Sequence, residues 1–199
     1  MKVRSIVFNG KYDVIEKEII PVKHGEVLAK PYYIYLGIVE KILYKGLEPF
    51  TKPIIPGSSG VVRIIEDPSN GELSGKIAII SPIGPHGILG LDVNGILSTY
   101  TSINHKYIAG FINEPRPIHS IYPYISYGAS IGKETYGSTL IIGCELDSII
   151  TAIYLKKMKE EEPHIICSKP IKHLKYLGFN IYREPGNLAK KYDTSLINK

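Results

Sequence analysis

Cysteine is scarce: Cys144 and Cys167 are the only two in 199 residues. Two thiols do not complete a four-cysteine zinc site, and a cytosolic chain rarely keeps a disulfide. Both sit in apolar runs, so both read as small hydrophobic core residues rather than as a bridge. Long apolar runs are missing as well. No stretch of eighteen or more apolar residues occurs, whereas a membrane-spanning helix needs about twenty. The start, Met1-Lys2-Val3-Arg4-Ser5, lacks the apolar core and small-residue cleavage site of a signal peptide. These shortages point to a cytoplasmic protein without a membrane span. Ligand spacing is lacking too. None of the six histidines (His24, His86, His105, His119, His164, His173) stands four residues from another. Each reads as a surface or turn residue, and His86, in a Gly-Pro-His-Gly turn, is the one worth following.

Charge of either sign is not concentrated. The net charge is +5 and the pI is near 9.0, a mild excess that attracts anions. The lysines are scattered, and no basic stripe is interleaved with aromatics, which argues against nucleic-acid binding. Lys156-Lys157-Met158-Lys159 runs directly into Glu160-Glu161-Glu162, the pattern of a solvated helix face. Hydrophobic residues make up 44% and charged residues 22%, ordinary values for a globular chain. The length suits one large domain or a domain and a half. Richness in Ile, Lys, Glu and Tyr suits a thermophile.

What is present begins with strands. Val3 to Phe8 and Tyr12 to Ile19 alternate with period two around Asn9-Gly10, a turn signal. A third strand runs from Glu26 toward Tyr35, and a helix is expected from Ile38 to Tyr44, stopped by Gly46. Further strands are expected at Val61–Glu66, Ile77–Ser81 and Ile96–Ile103, separated by Pro/Gly/Asn clusters. Many short strands with such punctuation imply a barrel or sandwich. After Pro115, Pro117 and Pro123 the pattern changes. A helix is expected within Ile118–Ile131, then strand Thr139–Ile142, helix from Leu146, strand His164–Cys167, helix Ile171–Leu177 and strand Phe179–Tyr182. Tyr192–Ile197 reads as a fourth strand. This alternation is that of a parallel α/β sheet. The expected division is therefore 1–115 and 116–199.

Several stretches carry a resemblance. They are Gly25-Glu26-Val27-Leu28, Leu36-Gly37-Ile38, Ile55-Pro56-Gly57 with Gly60-Val61-Val62, and Gly75-Lys76-Ile77-Ala78. Gly95-Ile96-Leu97-Ser98-Thr99-Tyr100 and Gly137-Ser138-Thr139-Leu140-Ile141-Ile142-Gly143 follow, and Tyr192-Asp193 closes the series. In this order they resemble the medium-chain dehydrogenase/reductase superfamily, the zinc-type alcohol dehydrogenase group. The resemblance implies a mixed α/β fold, with a GroES-like β-barrel followed by a Rossmann-like parallel unit. It also implies that the sheet of that second unit is truncated. Its outer strand is then an exposed edge, expected to pair with another copy or another chain.

The departures from that pattern bear on chemistry. The family's zinc-binding cysteine falls on Val39, and its histidine and glutamate fall on Ser58 and Ser59. Valine has no lone pair to give, and serine hydroxyls are poor zinc ligands near neutral pH. No zinc is expected. The dinucleotide fingerprint reads Gly143-Cys144-Glu145-Leu146-Asp147-Ser148, keeping only its first glycine. Glu145 and Asp147 place carboxylates where a pyrophosphate sits; they suit the helix dipole and repel phosphate. Two functions follow from the resemblance. The favoured one is a degenerate, non-catalytic binding or assembly module with no cofactor. The other is a zinc-independent oxidoreductase of the quinone-reductase type. It would use NADP(H) held by Gly143, Ser168 and Lys169, with Tyr44, Lys41 and Ser58 as the catalytic or substrate-orienting groups.

Overall fold

The computed structural model describes residues 2–18, 21–46, 52–168, 172–183 and 194–197. The chain divides into two compact units, Met1–Pro123 and Tyr124–Lys199. The 3₁₀ turn Pro117–Ile121, beyond the expected junction at 115, stays with the first unit. It is tied there by the Ser59 hydroxyl, which reaches the Ser120 carbonyl at 2.7 Å.

In the first unit, β1 (Lys2–Phe8) and β2 (Tyr12–Glu18) form an antiparallel hairpin in which Phe8 faces Tyr12. Gly10 takes φ +80° in the turn, a conformation that glycine adopts without Cβ strain. A second, larger sheet follows. It contains β3 (Glu26–Tyr35), β4 (Ser59–Glu66), β5 (Ile77–Ile80), β8 (Thr101–Asn104) and β9 (Ile108–Ile112), in the order β8-β3-β4-β5-β9, with every pair antiparallel. Between β5 and β8 lies a small hairpin of β6 (Ile83–Gly84) and β7 (Gly87–Ile88). The helix α1 (Ile38–Tyr44) stands where the sequence puts it.

The expected closed barrel is not formed among the described residues: the five-stranded sheet is open, with β8 and β9 at its edges. The reason lies in Ile96–Tyr100, expected as strand. Its backbone is already engaged by a loop, since Gly95, Ile96 and Leu97 donate to the carbonyls of Ile55, Gly57 and Pro56. The β1–β2 hairpin therefore meets this stretch through single bridges and a few bonds, such as Ser5 with Ser98, rather than a continuous ladder. Val27, Ala29, Val62, Ile64, Ala78, Ile80, Ile96 and Ile103 form the core on one face of the large sheet. Each fully buried Ile or Val there stabilises the fold by roughly 1.5–3 kcal/mol.

The second unit contains α2 (Tyr122–Glu134), which begins at the junction, then β10 (Thr139–Ile142), α3 (Leu146–Met158), β11 (His164–Ile166), α4 (Lys172–Tyr176), β12 (Asn180–Tyr182) and β13 (Thr194–Ile197). Its four strands are parallel, in the order β12-β11-β10-β13. That order starts at β10, steps outward twice, then returns to the other side, as doubly wound sheets do. Ala152 and Leu155 of α3 and Leu174 of α4 pack with Ile141 and Ile165 of the sheet. Helix α2 crosses α3 at two glycines four residues apart. A Cβ on Gly128 would lie 2.5 Å from the Asp147 carbonyl oxygen, and one on Gly132 would lie 2.9 Å from the Tyr154 Cβ. The Thr151 hydroxyl reaches the Gly128 carbonyl at 3.0 Å across the same crossing.

The two cysteines are not independent core thiols. They are joined in a disulfide with Cα atoms 5.7 Å apart. The register of β10 on β11 pairs Ile142 with Ile166, so residues just past both strand ends are neighbours in space although distant in sequence. No helix among the described residues is long and apolar enough to cross a membrane.

Candidate functional site

Helix α1 starts at Gly37, and Glu40 occupies its third helical position. The Glu40 side chain turns back, and its Oε2 accepts the Gly37 N–H at 2.7 Å, the reciprocal half of a capping box. Its Oε1 reaches across to the 57–58 turn, where it accepts the N–H of Gly57 at 2.9 Å and of Ser58 at 3.0 Å. Glu40 is only 8% exposed. A buried carboxylate is tolerated when charge-assisted donors surround it, and three backbone N–H groups do so here. The turn itself depends on Gly57, whose φ is +93° and whose Cβ would lie 2.7 Å from the Leu97 nitrogen.

Around this carboxylate stand the positions that the resemblance assigns to zinc. Val39 is packed with Phe8, Leu43 and Ile54. Ser58 and Ser59 are fully buried. The Ser59 proton is shared between the carbonyls of Ile80 at 3.0 Å and Ser120 at 2.7 Å. This donor set does not fit a zinc ion: one position has no lone pair, and the Ser59 hydroxyl is spent on the backbone. Nor does any group of three or more His, Cys, Asp or Glu side chains converge as a metal site among the described residues. The Tyr12 hydroxyl closes the cluster from the hairpin, donating to the Glu40 carbonyl at 3.1 Å. Burial, and then the negative charge of Glu40, raise the Tyr12 phenol above its ordinary value of 10.0.

Of the residues proposed from sequence for catalysis, Lys41 and Tyr44 lie three apart on α1, which puts them on one face. Both are exposed, Tyr44 at 80%. Ser58 is buried, and its backbone N–H is held from inside by Glu40. Sequence reasoning passed over Glu40. The available signal was a glutamate three residues after a helix-starting glycine. His86 is exposed and lines a cavity of about 350 Å³ together with Lys23, Glu26, Asn94 and Tyr107. The Tyr107 hydroxyl donates to the Gly87 carbonyl at 3.0 Å.

In the second unit, Gly143 follows β10 with φ +127°, and its N–H continues the ladder to the Ile166 carbonyl at 2.9 Å. Glu145 is the residue preceding α3, with extended backbone. Asp147 stands in the first turn, its Oδ1 accepting the Ser148 N–H at 3.0 Å. Ser148, where the fingerprint has its third glycine, is buried. The residues present do not fit a pyrophosphate bound in the usual way. Two carboxylates share the start of α3, and the second and third glycines are replaced by larger side chains. Ser168 is exposed just past β11. Lys169 lies outside the described residues.

No family model and no curated protein matches the chain by sequence. Its fold is nevertheless shared with solved dehydrogenases. A thermostable alcohol dehydrogenase from Pyrobaculum aerophilum superposes with TM-score 0.68 at 16% identity, over 91% of this chain and 65% of that one. A short chain alcohol dehydrogenase from E. coli CFT073, complexed with NADH, gives 0.66 at 17%, over 94% and 64%. The 2R,3R-butanediol dehydrogenase of Bacillus subtilis gives 0.66 at 15%, over 94% and 65%. The Pyrobaculum enzyme has also been solved with cobalt and zinc bound. The likeness is one of fold, and the chain spans about 65% of the first of these relatives.

Proposed function

We propose that this protein is an alcohol dehydrogenase-like module without catalytic activity, in which a GroES-like unit and a Rossmann-like unit serve binding or assembly. The observation that carries the proposal is the Glu40 carboxylate, closed by the backbone N–H groups of Gly37, Gly57 and Ser58. Where the resemblance puts a metal and an open coordination position, this chain has an internal anion whose oxygens both face protein donors. Fold alone does not confer chemistry; the site does. The start of α3 supports the same conclusion, because Glu145 and Asp147 oppose a pyrophosphate there.

Assembly would run through the parallel sheet, whose edges among the described residues are β12 and β13. An open edge offers unpaired backbone groups to another strand, and a second copy of this chain is the occupant we propose. The competing oxidoreductase reading draws on Lys41 and Tyr44, which share a solvent face of α1. It needs NADP(H) to bind.

Calorimetric titration with NADPH and NADH at moderate salt separates the two readings. The module reading predicts no saturable heat up to millimolar cofactor. Micromolar saturation would overturn it and favour hydride transfer to quinones or enones. Sedimentation over a wide concentration range tests assembly, and a monomer throughout would remove the edge-pairing part.

A further inference from the structure

Cys144 and Cys167 occupy an unusual place for a bond that merely staples a fold. Both stand at the C-terminal ends of adjacent parallel strands, where open α/β sheets gather their ligands. The backbone is held by the sheet at Cys167 and at Gly143, the residue before Cys144, through bonds that do not involve the sulfurs. Gly143 donates to Ile166 at 2.9 Å, and Cys167 donates to Tyr182 at 2.8 Å. The Cα separation of 5.7 Å lies within the range a disulfide spans without backbone movement. The pair is therefore presented ready to close when reduced, and stays in place when opened.

The two sulfurs differ in access. Cys167 is 4% exposed and packed among Ile141, Ile165 and Leu174. Cys144 is only partly buried and lies against the margin of that cluster. An incoming thiolate thus finds Cys144 first.

We propose that Cys144 and Cys167 form a reversible dithiol–disulfide site at the mouth of the β10–α3 turn, exchanging with small thiols through Cys144. In reduction, a thiolate attacks the Cys144 sulfur. A mixed disulfide forms and Cys167 leaves as thiolate, taking a proton from water. A second thiol attacks the outer sulfur of the mixed disulfide and releases Cys144. In sum, the protein disulfide and two small thiols give the protein dithiol and one small disulfide. Two electrons enter the protein, and oxidation by a small disulfide reverses each step. What switches is the side-chain link between Cys144 and Cys167, while the Gly143 N–H stays on the Ile166 carbonyl at the end of β11. The inference is independent of whether the module binds a cofactor.

The test equilibrates the folded full chain with buffers of graded reduced-to-oxidised glutathione ratio. Exchange is then quenched with acid, and the free thiols are alkylated in denaturant and counted by intact mass. The expected result is a reversible passage between no adduct and two adducts, with the same curve from either direction and unchanged circular dichroism. In native buffer, Cys167→Ser leaves Cys144 open to alkylation within minutes, whereas Cys144→Ser leaves Cys167 protected until denaturant is added. Two adducts at every ratio would overturn the proposal, because no disulfide would then form in the folded chain. A bond that resists every glutathione ratio until the chain unfolds would overturn it equally, because the bridge would then be only a staple. The wild-type curve requires no variant to fold.

Discussion

The Glu40 carboxylate reaches from α1 to the Gly57 backbone, accepting its N–H at 2.9 Å. One side chain thereby joins a helix start and a buried turn that lie seventeen residues apart in sequence. Removing it orphans three N–H groups, and a buried donor left unsatisfied costs about 1–3 kcal/mol. Glu40→Ala is expected to lower the melting temperature of the first unit markedly. Glu40→Gln keeps one carbonyl oxygen and is expected to cost less. Differential scanning calorimetry of both variants checks the order. Equal stability of Glu40→Ala and the wild type would mean that the carboxylate does not hold the turn.

Two tyrosines give an alkaline signature. Tyr12 is raised by burial and then by Glu40. Tyr107 is raised by burial, partly offset by a hydrogen bond with the His86 backbone, and raised further by Asp92. A phenol whose folded pKa lies above its unfolded value of 10.0 keeps its proton longer in the folded state. The stability it contributes is fully present below pH 10.0 and is lost as pH rises through the folded pKa. Phenolate absorbance during alkaline titration is therefore expected to show late-ionising tyrosines. The Tyr12→Phe and Tyr107→Phe variants are expected each to remove part of that late phase. A late phase left intact in both variants would refute the assignment.

Much of the fold was readable because its signals are local. Thr139–Ile142 is a short apolar run followed by glycine, and it is β10 to the residue. Helix α1 and β3 also stand where periodicity and punctuation put them. Strand β9 was missed because Gly110 interrupts its alternation and the residues on either side of it, Ala109 and Phe111, are exposed. The first half of Ile96–Ile103 was misread because its pattern says strand while its N–H groups answer to the loop at 55–57. Glu40 and the cysteine pair escaped for a shared reason. The three-residue spacing from Gly37 signals only the capping half of Glu40; its bonds to Gly57 and Ser58, like the pairing of the cysteines, come from tertiary register that no local spacing encodes.

The crossing of α2 on α3 makes a paired prediction about glycine. In an open helix, Gly→Ala is worth about 1 kcal/mol of stabilisation. At Gly128 the added methyl would lie 2.5 Å from the Asp147 carbonyl oxygen, a backbone atom unable to step aside. Gly128→Ala is therefore expected to destabilise the second unit and to spread the two helices. Gly110, with nothing within 4 Å of its would-be Cβ, is the control, and Gly110→Ala is expected to be near neutral. Thermal unfolding of the two variants decides the matter. A stabilised Gly128→Ala would mean that the helices cross less closely.

The disulfide also makes a thermodynamic prediction that does not depend on its exchange kinetics. It closes a loop with a sequence separation of 23 residues. Cross-linking a loop of that size restricts the unfolded chain and is worth roughly 3 kcal/mol when the native geometry is relaxed. The second unit is therefore expected to unfold at lower denaturant in excess reductant than in oxidising buffer. The first unit has no cysteine and is expected to keep its midpoint. Cys144→Ser is expected to reproduce the reduced midpoint and to abolish the dependence on reductant. Denaturant unfolding, followed by probes placed in each unit, separates the two responses. A wild-type second unit whose midpoint ignores reductant would mean that the bond contributes nothing to its stability.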